Sequence, residues 1–192
     1  VAYATEHGVA VNVYLEDWSN GMKNSPDYVF QLMDGLQDCG IRRFMLPDTL
    51  GVLNPMQVQA FMGVMVQRYP DTHFDFHAHN DYDLAVSNVY AAVLAGAKGL
   101  HTTINGLGER AGNAPLASVQ AILRDHFGAD TSINEERLND VSRLVESYSG
   151  ITIPANKPIV GENVFTQVAG VHADGDNKNN LYCNELLPER FG

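Results

Sequence analysis

The sequence predicts an α/β protein built on a parallel sheet, and three observations predict it. Four β-rich runs, Val9–Asp17, Ile41–Leu46, His73–His79 and Gly99–Ile104, recur at roughly the length of a βα unit. A stretch with helical periodicity follows each run, as parallel strands joined by helical crossovers require. Each run also passes into polar residues at its C-terminal end, which is where α/β folds build their sites.

The first strand, "VAVNVYLED", is β-branched and partly alternating, and it ends in the polar cluster Glu16-Asp17-Trp18-Ser19-Asn20. In "SPDYVFQLMDGLQDCG", Ser25 suits an N-cap and Pro26 the first helical turn. Val29, Leu32, Met33 and Leu36 form that helix's apolar face, and Gly40 fits its stop. The second strand, "IRRFML", leads into Pro47-Asp48-Thr49, and its helix starts at Asn54-Pro55 with Val58, Phe61, Met62 and Met65 inward. The third strand, "HFDFHAH", precedes a helix through "LAVSNVYAAVLAGA". The fourth, "GLHTTI", precedes the loop "NGLGERAGNAP" and the helix "LASVQAILRDHFG".

From about Thr131 the pattern changes. "INEERLNDVSRLVESYSG" reads as an amphipathic helix closed by Gly150, followed by a Gly-, Pro- and Asn-rich, partly helical appendage. Two regions are expected: 1–130, carrying the strand–helix units, and 131–192, a helical linker and the start of a further subdomain.

The 192 residues are 45% hydrophobic, enough for a sizeable core. A net charge of -11 disfavours nucleic acid and anionic membrane as partners. No apolar run reaches membrane-spanning length and no signal-peptide pattern is present. The first residue is Val1 rather than Met, which reads as a cut or a boundary. Cys39 and Cys183 have no metal-type spacing and make no disulfide framework, in keeping with a reducing, cytoplasmic setting.

Alternation in "HFDFHAH" puts Phe74, Phe76 and Ala78 on one face and Asp75, His77 and His79 on the other. Histidines at i and i+2 project in parallel and can share a cation: zinc, manganese or iron, or magnesium when water and substrate oxygens complete the shell. The plainer reading is two histidines in ordinary hydrogen bonds. The loop "NGLGERAGN" sets three glycines around Glu109-Arg110, where Arg110 can grip a carboxylate or phosphate or simply pair with Glu109. It has neither the dinucleotide nor the P-loop spacing. The Thr49 hydroxyl could hold a carboxylate or serve a turn. Glu16 and Asp17 read first as solvated loop acids, and His172 in "GVHADG" as structural.

Taken together, "LPDTLG", "HAHND", "GLGERAGN" and "GVHADG", in this order, resemble the Claisen-type acyltransferases: 2-isopropylmalate, homocitrate and citramalate synthases, relatives of hydroxymethylglutaryl-CoA lyase. The resemblance runs from Glu16 to about Tyr182, and the Gly-Glu-Arg form of the loop is similar to the synthases. It implies an eight-stranded (β/α) barrel of which this chain holds the last four units, since nothing here matches the family's first-strand Asp-x-Thr-x-Arg-Asp-Gly. The missing barrel half would then be needed for activity.

The resemblance further implies a divalent metal (Mg, Mn or Zn) held by His77, His79 and Asn113. It places Thr49 on the 2-oxo acid carboxylate, Gly106 and Gly108 near acetyl-CoA with Arg110 in the same substrate-binding loop, and Glu16 near the reacting centre. His172 and Tyr182 would assist proton transfer from a segment reaching a neighbouring subunit, in a homodimer. The implied reaction is metal-dependent condensation of acetyl-CoA with a 2-oxo acid, most like 2-isopropylmalate synthesis in leucine formation. Homocitrate, citramalate or citrate synthesis are alternatives within the family. Alternatives of another kind are a non-catalytic assembly module, or an open doubly wound sheet binding a phosphate ligand.

Overall fold

A computed structural model describes residues 1–179 and 186–192. They form two compact units, 1–115 and 116–192.

The first unit holds four parallel strands, β1 (Val13–Tyr14), β2 (Arg43–Asp48), β3 (His73–Ala78) and β4 (Gly99–His101), side by side in chain order. Five helices accompany them: α1 (Ala2–Glu6), α2 (Trp18–Asn24), α3 (Pro26–Asp38), α4 (Pro55–Arg68) and α5 (Ala85–Leu94). The expected parallel α/β sheet is therefore present. Asn54 caps α4 in a reciprocal box with Gln57, ahead of Pro55.

Two local expectations, the length of the first strand and the place of Leu32, are corrected. The first strand is two residues long rather than the whole of "VAVNVYLED"; among the described residues it pairs only with β2, so little holds it extended. The polar cluster after it divides: Glu16 and Asp17 stay in a turn, while α2 begins at Trp18, which is fully buried and meets Phe61 edge-on at 6.3 Å. Leu32 does not join the apolar face of α3, which buries Val29 and Met33 and leaves Leu32 38% exposed. Helix α1 has no counterpart in the expectations.

The two faces of the sheet differ in chemistry. Phe44 and Leu46 of β2 and Phe74, Phe76 and Ala78 of β3 are buried, together with Met33, Val58, Met62, Met65, Val89 and Ala92 from the helices. Each large apolar side chain so buried contributes about 1.5–3 kcal/mol. The other face carries Tyr14, Met45, Asp75 and Gly99 in one row across the strands, and Pro47, His77 and His101 in the next.

Asp75 organises the first of these rows. Its carboxylate is 1% exposed, accepts from Arg43 Nε at 3.0 Å and pairs with Arg43 Nη2 at 2.8 Å. His73 Nε2 stands 2.8 Å and His101 Nε2 3.3 Å from it. Burial pushes the Asp75 carboxyl upward, but the Arg43 and His101 hydrogen bonds and the nearby His73 outweigh it and hold it below its ordinary value. Room for the carboxylate comes from Gly99, where a Cβ would fall 2.0 Å from Asp75 Oδ1.

The second unit contains α6 (Leu116–Phe127), α7 (Leu138–Ser149) and α8 (Gly170–Asn177), with 3-10 turns at Glu135–Arg137 and Pro188–Arg190. Helix α7 stops at Gly150, in the left-handed region at φ 69°, as expected. Ala117, Ala121, Leu138, Ile159, Val160 and Phe191 form its apolar cluster. Beside it, Arg190 forks onto Glu135 (Nε–Oε2 2.6 Å, Nη2–Oε1 3.0 Å) and bonds Asp125, while Arg124 also pairs with Glu135. Among the described residues, no helix is long and apolar enough to cross a membrane.

Candidate active site

The C-terminal end of β3 brings His77 and His79 to one side of the sheet, as the alternation predicts. Their rings lie 5.0 Å apart, centroid to centroid, at 71°. The chain returning from β4 then adds a third group. Ala114 N donates to Ala78 O at 3.2 Å, and Asn113 forms an isolated antiparallel bridge with His79. The 5% exposed Asn113 thus comes beside His77, with its Nδ2 3.2 Å from His77 Nε2.

The glycines of "NGLGERAGN" have a clear physical use here: they let the loop wrap Asn113. A Cβ at Gly108 would fall 1.8 Å from Asn113 Oδ1. Gly112 sits at φ +85°, and a Cβ there would fall 2.0 Å from Gly106 O, the atom that accepts from Asn113 N at 3.0 Å. Gly106 is buried within this turn, while Gly108 is exposed.

The electrostatics favour a neutral imidazole at His77. Burial drives the His77 pKa down to about 4, with repulsion from His79 and His101 adding to it. His77 Nδ1 and His79 Nδ1 are both buried without a hydrogen-bond partner. Buried polar atoms of this kind are rare and call for a physical explanation. Two imidazoles whose buried Nδ1 atoms find no partner fit a divalent cation, and Asn113 can offer its amide oxygen once turned. Among the described residues, no group of three or more His, Cys, Asp or Glu is arranged to hold a metal. The donors present are therefore two imidazoles and one amide, an incomplete shell.

Around this centre, the Thr49 hydroxyl accepts from Asp17 N at 3.0 Å. Its neighbour Asp48 is wholly buried and accepts from Val52 N and Leu53 N, both at 3.0 Å, which fixes the loop after β2. Glu16 follows β1 and is exposed. Arg110 forks onto Asp81 and also makes a longer ion pair with Glu109, Nη1 to Oε2 at 3.7 Å. His172 lies on α8 of the second unit and lines a shallow cavity with Val164, Phe165 and Val168. Tyr182 lies outside the described residues.

Sequence reasoning gave no role to His101 or Tyr14. His101 lies in register with His77, their rings 5.7 Å apart, and its Nδ1 meets the Tyr14 hydroxyl. The signal was the shared alternation of "GLHTTI" and "HFDFHAH", which predicts adjacency only once the register is known.

Comparison with known proteins shows the family. The family model described as HMGL-like matches residues 1–145, about three quarters of the chain. The chain belongs to the HMGL-like family. Its sequence is 42% identical over 192 residues to the homocitrate synthase of Sulfolobus acidocaldarius, covering 100% of this chain and 40% of that protein. It is 39% identical over 193 residues to a Methanopyrus kandleri protein that carries the name (R)-citramalate synthase, covering 100% of this chain and 37% of that protein. The chain thus spans about 40% of the length of these curated relatives.

Among solved structures, the HMG-CoA lyase of Bacillus subtilis superposes with a TM-score of 0.71 at 23% identity, over 80% of this chain and 54% of that one. The HMG-CoA lyase of Acinetobacter baumannii, solved with coenzyme A and 3-methylmalate, gives 0.63 at 26% identity, over 76% of this chain and 49% of that one. The HMGL-like chain is accordingly a partial (β/α) barrel: four parallel strands with their helices, about half the length of these structural neighbours.

Proposed function

We propose that this HMGL-like chain supplies the second half of a metal-dependent acyltransferase that condenses acetyl-CoA with a 2-oxo acid. The observation that carries the reading is the pair of imidazoles, His77 and His79, each with a buried Nδ1 that has no hydrogen-bond partner, beside buried Asn113 at the C-terminal end of β3. The family membership and the relatives' names as synthases support it.

In this reading His77, His79 and the Asn113 amide hold a divalent cation (Mg, Mn or Zn), with the remaining donors coming from the barrel half outside this chain. When bound there, such a cation would supply Lewis-acid polarisation of the acceptor's ketone. Thr49 binds the 2-oxo acid carboxylate by donating its hydroxyl proton, while its oxygen goes on accepting from the Asp17 amide. Gly106 and Gly108 leave room for the acetyl-CoA thioester, and Arg110 closes that loop. His172, with Tyr182, takes a methyl proton from acetyl-CoA, and Glu16 orients the base. Residues 131–192 form the linker and the start of a post-barrel subdomain, which carries His172 to the neighbouring site of a cytoplasmic homodimer.

Because the named relatives are homocitrate and citramalate synthases, 2-oxoglutarate and pyruvate are the first acceptors to test. The acceptor that the family resemblance suggests first, 2-oxoisovalerate for leucine formation, comes third. The test mixes the chain, at equal stoichiometry, with a segment supplying the first four barrel strands. Metal-dependent release of free thiol from acetyl-CoA is then followed with each acceptor. Turnover with one acceptor, abolished by His77→Ala, is expected. A closed barrel that binds no cation and turns over none of the three would sink the reading and bring forward an assembly module.

A further inference from the structure

The four loops at the C-terminal ends of the strands are tied together through one ion pair. Arg110 donates from Nε to Asp81 Oδ1 at 2.7 Å and from Nη2 to Asp81 Oδ2 at 3.0 Å. The same Nη2 reaches Thr49 O at 2.8 Å, and Thr49 Oγ1 accepts from Asp17 N. Asp17 follows β1, Thr49 follows β2, Asp81 follows β3 and Arg110 follows β4, so the chain of contacts crosses every loop on that end of the sheet.

Two details mark this fork as part of the loop architecture. Gly51, at φ +59°, lies so close beneath Asp81 that a Cβ would fall 2.6 Å from Asp81 Oδ2 and 2.9 Å from Asp81 N. Arg110 itself sits in the left-handed region at φ 55°, an uncommon conformation for a long side chain. An isolated ion pair this exposed (39% for Arg110, 23% for Asp81) does little for global stability. A bidentate fork with a third acceptor instead fixes direction and distance.

The distance it fixes runs between the two arms of the donor set. Asp81 lies on the arm that carries His77 and His79, and Arg110 on the arm that carries Asn113. The arms also meet through Asn80 N and Gly112 O at 2.9 Å. We propose that Arg110 and Asp81 are positioning residues whose fork holds Asn113 against His77 and orients Thr49 beside them. This deepens the metal-centre reading and rests on it for its consequence in binding, but the placement of Asn113 is measurable without metal.

The experiment uses the full chain, 15N-labelled and metal-free, as wild type, Arg110→Lys, Asp81→Asn and the double variant. Arg110→Lys keeps the charge and loses the fork. NMR follows the Asn113 side-chain amide and its coupling to the His77 ring, with the backbone amides of Phe44 and Phe74 as the fold control. Zinc is then titrated into each sample. Each single substitution is expected to shift the Asn113 amide and weaken zinc binding at least tenfold while the Phe44 and Phe74 signals stay in place. The double variant is expected to be no worse than either single. Unmoved Asn113 signals, additive effects in the double variant, or unfolding of either single would overturn the proposal. A wild type that binds no zinc even when mixed with the segment supplying the first four barrel strands would overturn the metal reading instead, and the Asn113 signals would still decide the positioning role.

Discussion

Gly108 lies directly against the amide of Asn113: a Cβ at that glycine would fall 1.8 Å from Asn113 Oδ1. A loop glycine therefore sets where a donor of the proposed metal centre stands, although it makes no hydrogen bond to it.

Gly108→Ala is expected to push Asn113 away from His77 and to weaken divalent-metal binding about tenfold, roughly one hydrogen bond's worth of free energy. The thermal midpoint should move little, since Gly108 is exposed. Calorimetric titration with Mn2+ alongside a melting curve checks this. Unchanged affinity would separate the glycine pattern from the metal.

Gly99→Ala should act on stability, not on binding. The added methyl meets a carboxylate held on several sides, by Arg43, His73 and His101, so relief requires breaking part of that cluster. A loss of about 1–3 kcal/mol in urea unfolding is expected. A stability equal to wild type would mean that Asp75 relaxes more freely than its partners imply.

Acid should destabilise the second unit through Glu135. Its pKa is lowered from 4.5 to about 2, mainly by the Arg190 hydrogen bond, with Gln120 and Arg124 contributing against the cost of burial. The folded value lies below the unfolded one, so the stabilisation is fully present above pH 4.5 and is lost as pH falls toward 2. Glu135→Gln should melt lower than wild type at neutral pH and show a flatter midpoint between pH 4.5 and pH 2. Parallel pH profiles for the two proteins would rule out this origin.

His77→Ala removes one of the two imidazoles and is expected to abolish stoichiometric metal binding in the assembled barrel. His172→Ala should lower turnover with metal retained, since its proposed role is proton transfer. Metal content after gel filtration, read beside the rate of thiol release, distinguishes the two.

The sheet and the principal strand-end groups were legible in the sequence because their signals are local. Alternation in "HFDFHAH" separates Phe74 and Phe76 from His77 and His79 without knowledge of any neighbour. The two-residue length of β1 was not legible, because strand extent depends on what pairs with it. Helix α2 was hidden by polar residues around Trp18, whose burial depends on Phe61 far along the chain. The same holds within the site. His77 and His79 were found from spacing, whereas the contacts of His101 with Tyr14 and of Arg110 with Asp81 require a register between strands that no single window contains.

The coincidence of strand order with chain order also bears on how the molecule comes into being. Every pairing within these four strands joins segments separated by roughly one βα unit, so none of these three pairings waits for a distant segment. On a ribosome, β2 can zip onto β1 as soon as α3 has been made, and β3 and β4 can follow in turn, each new strand covering the edge its predecessor left open.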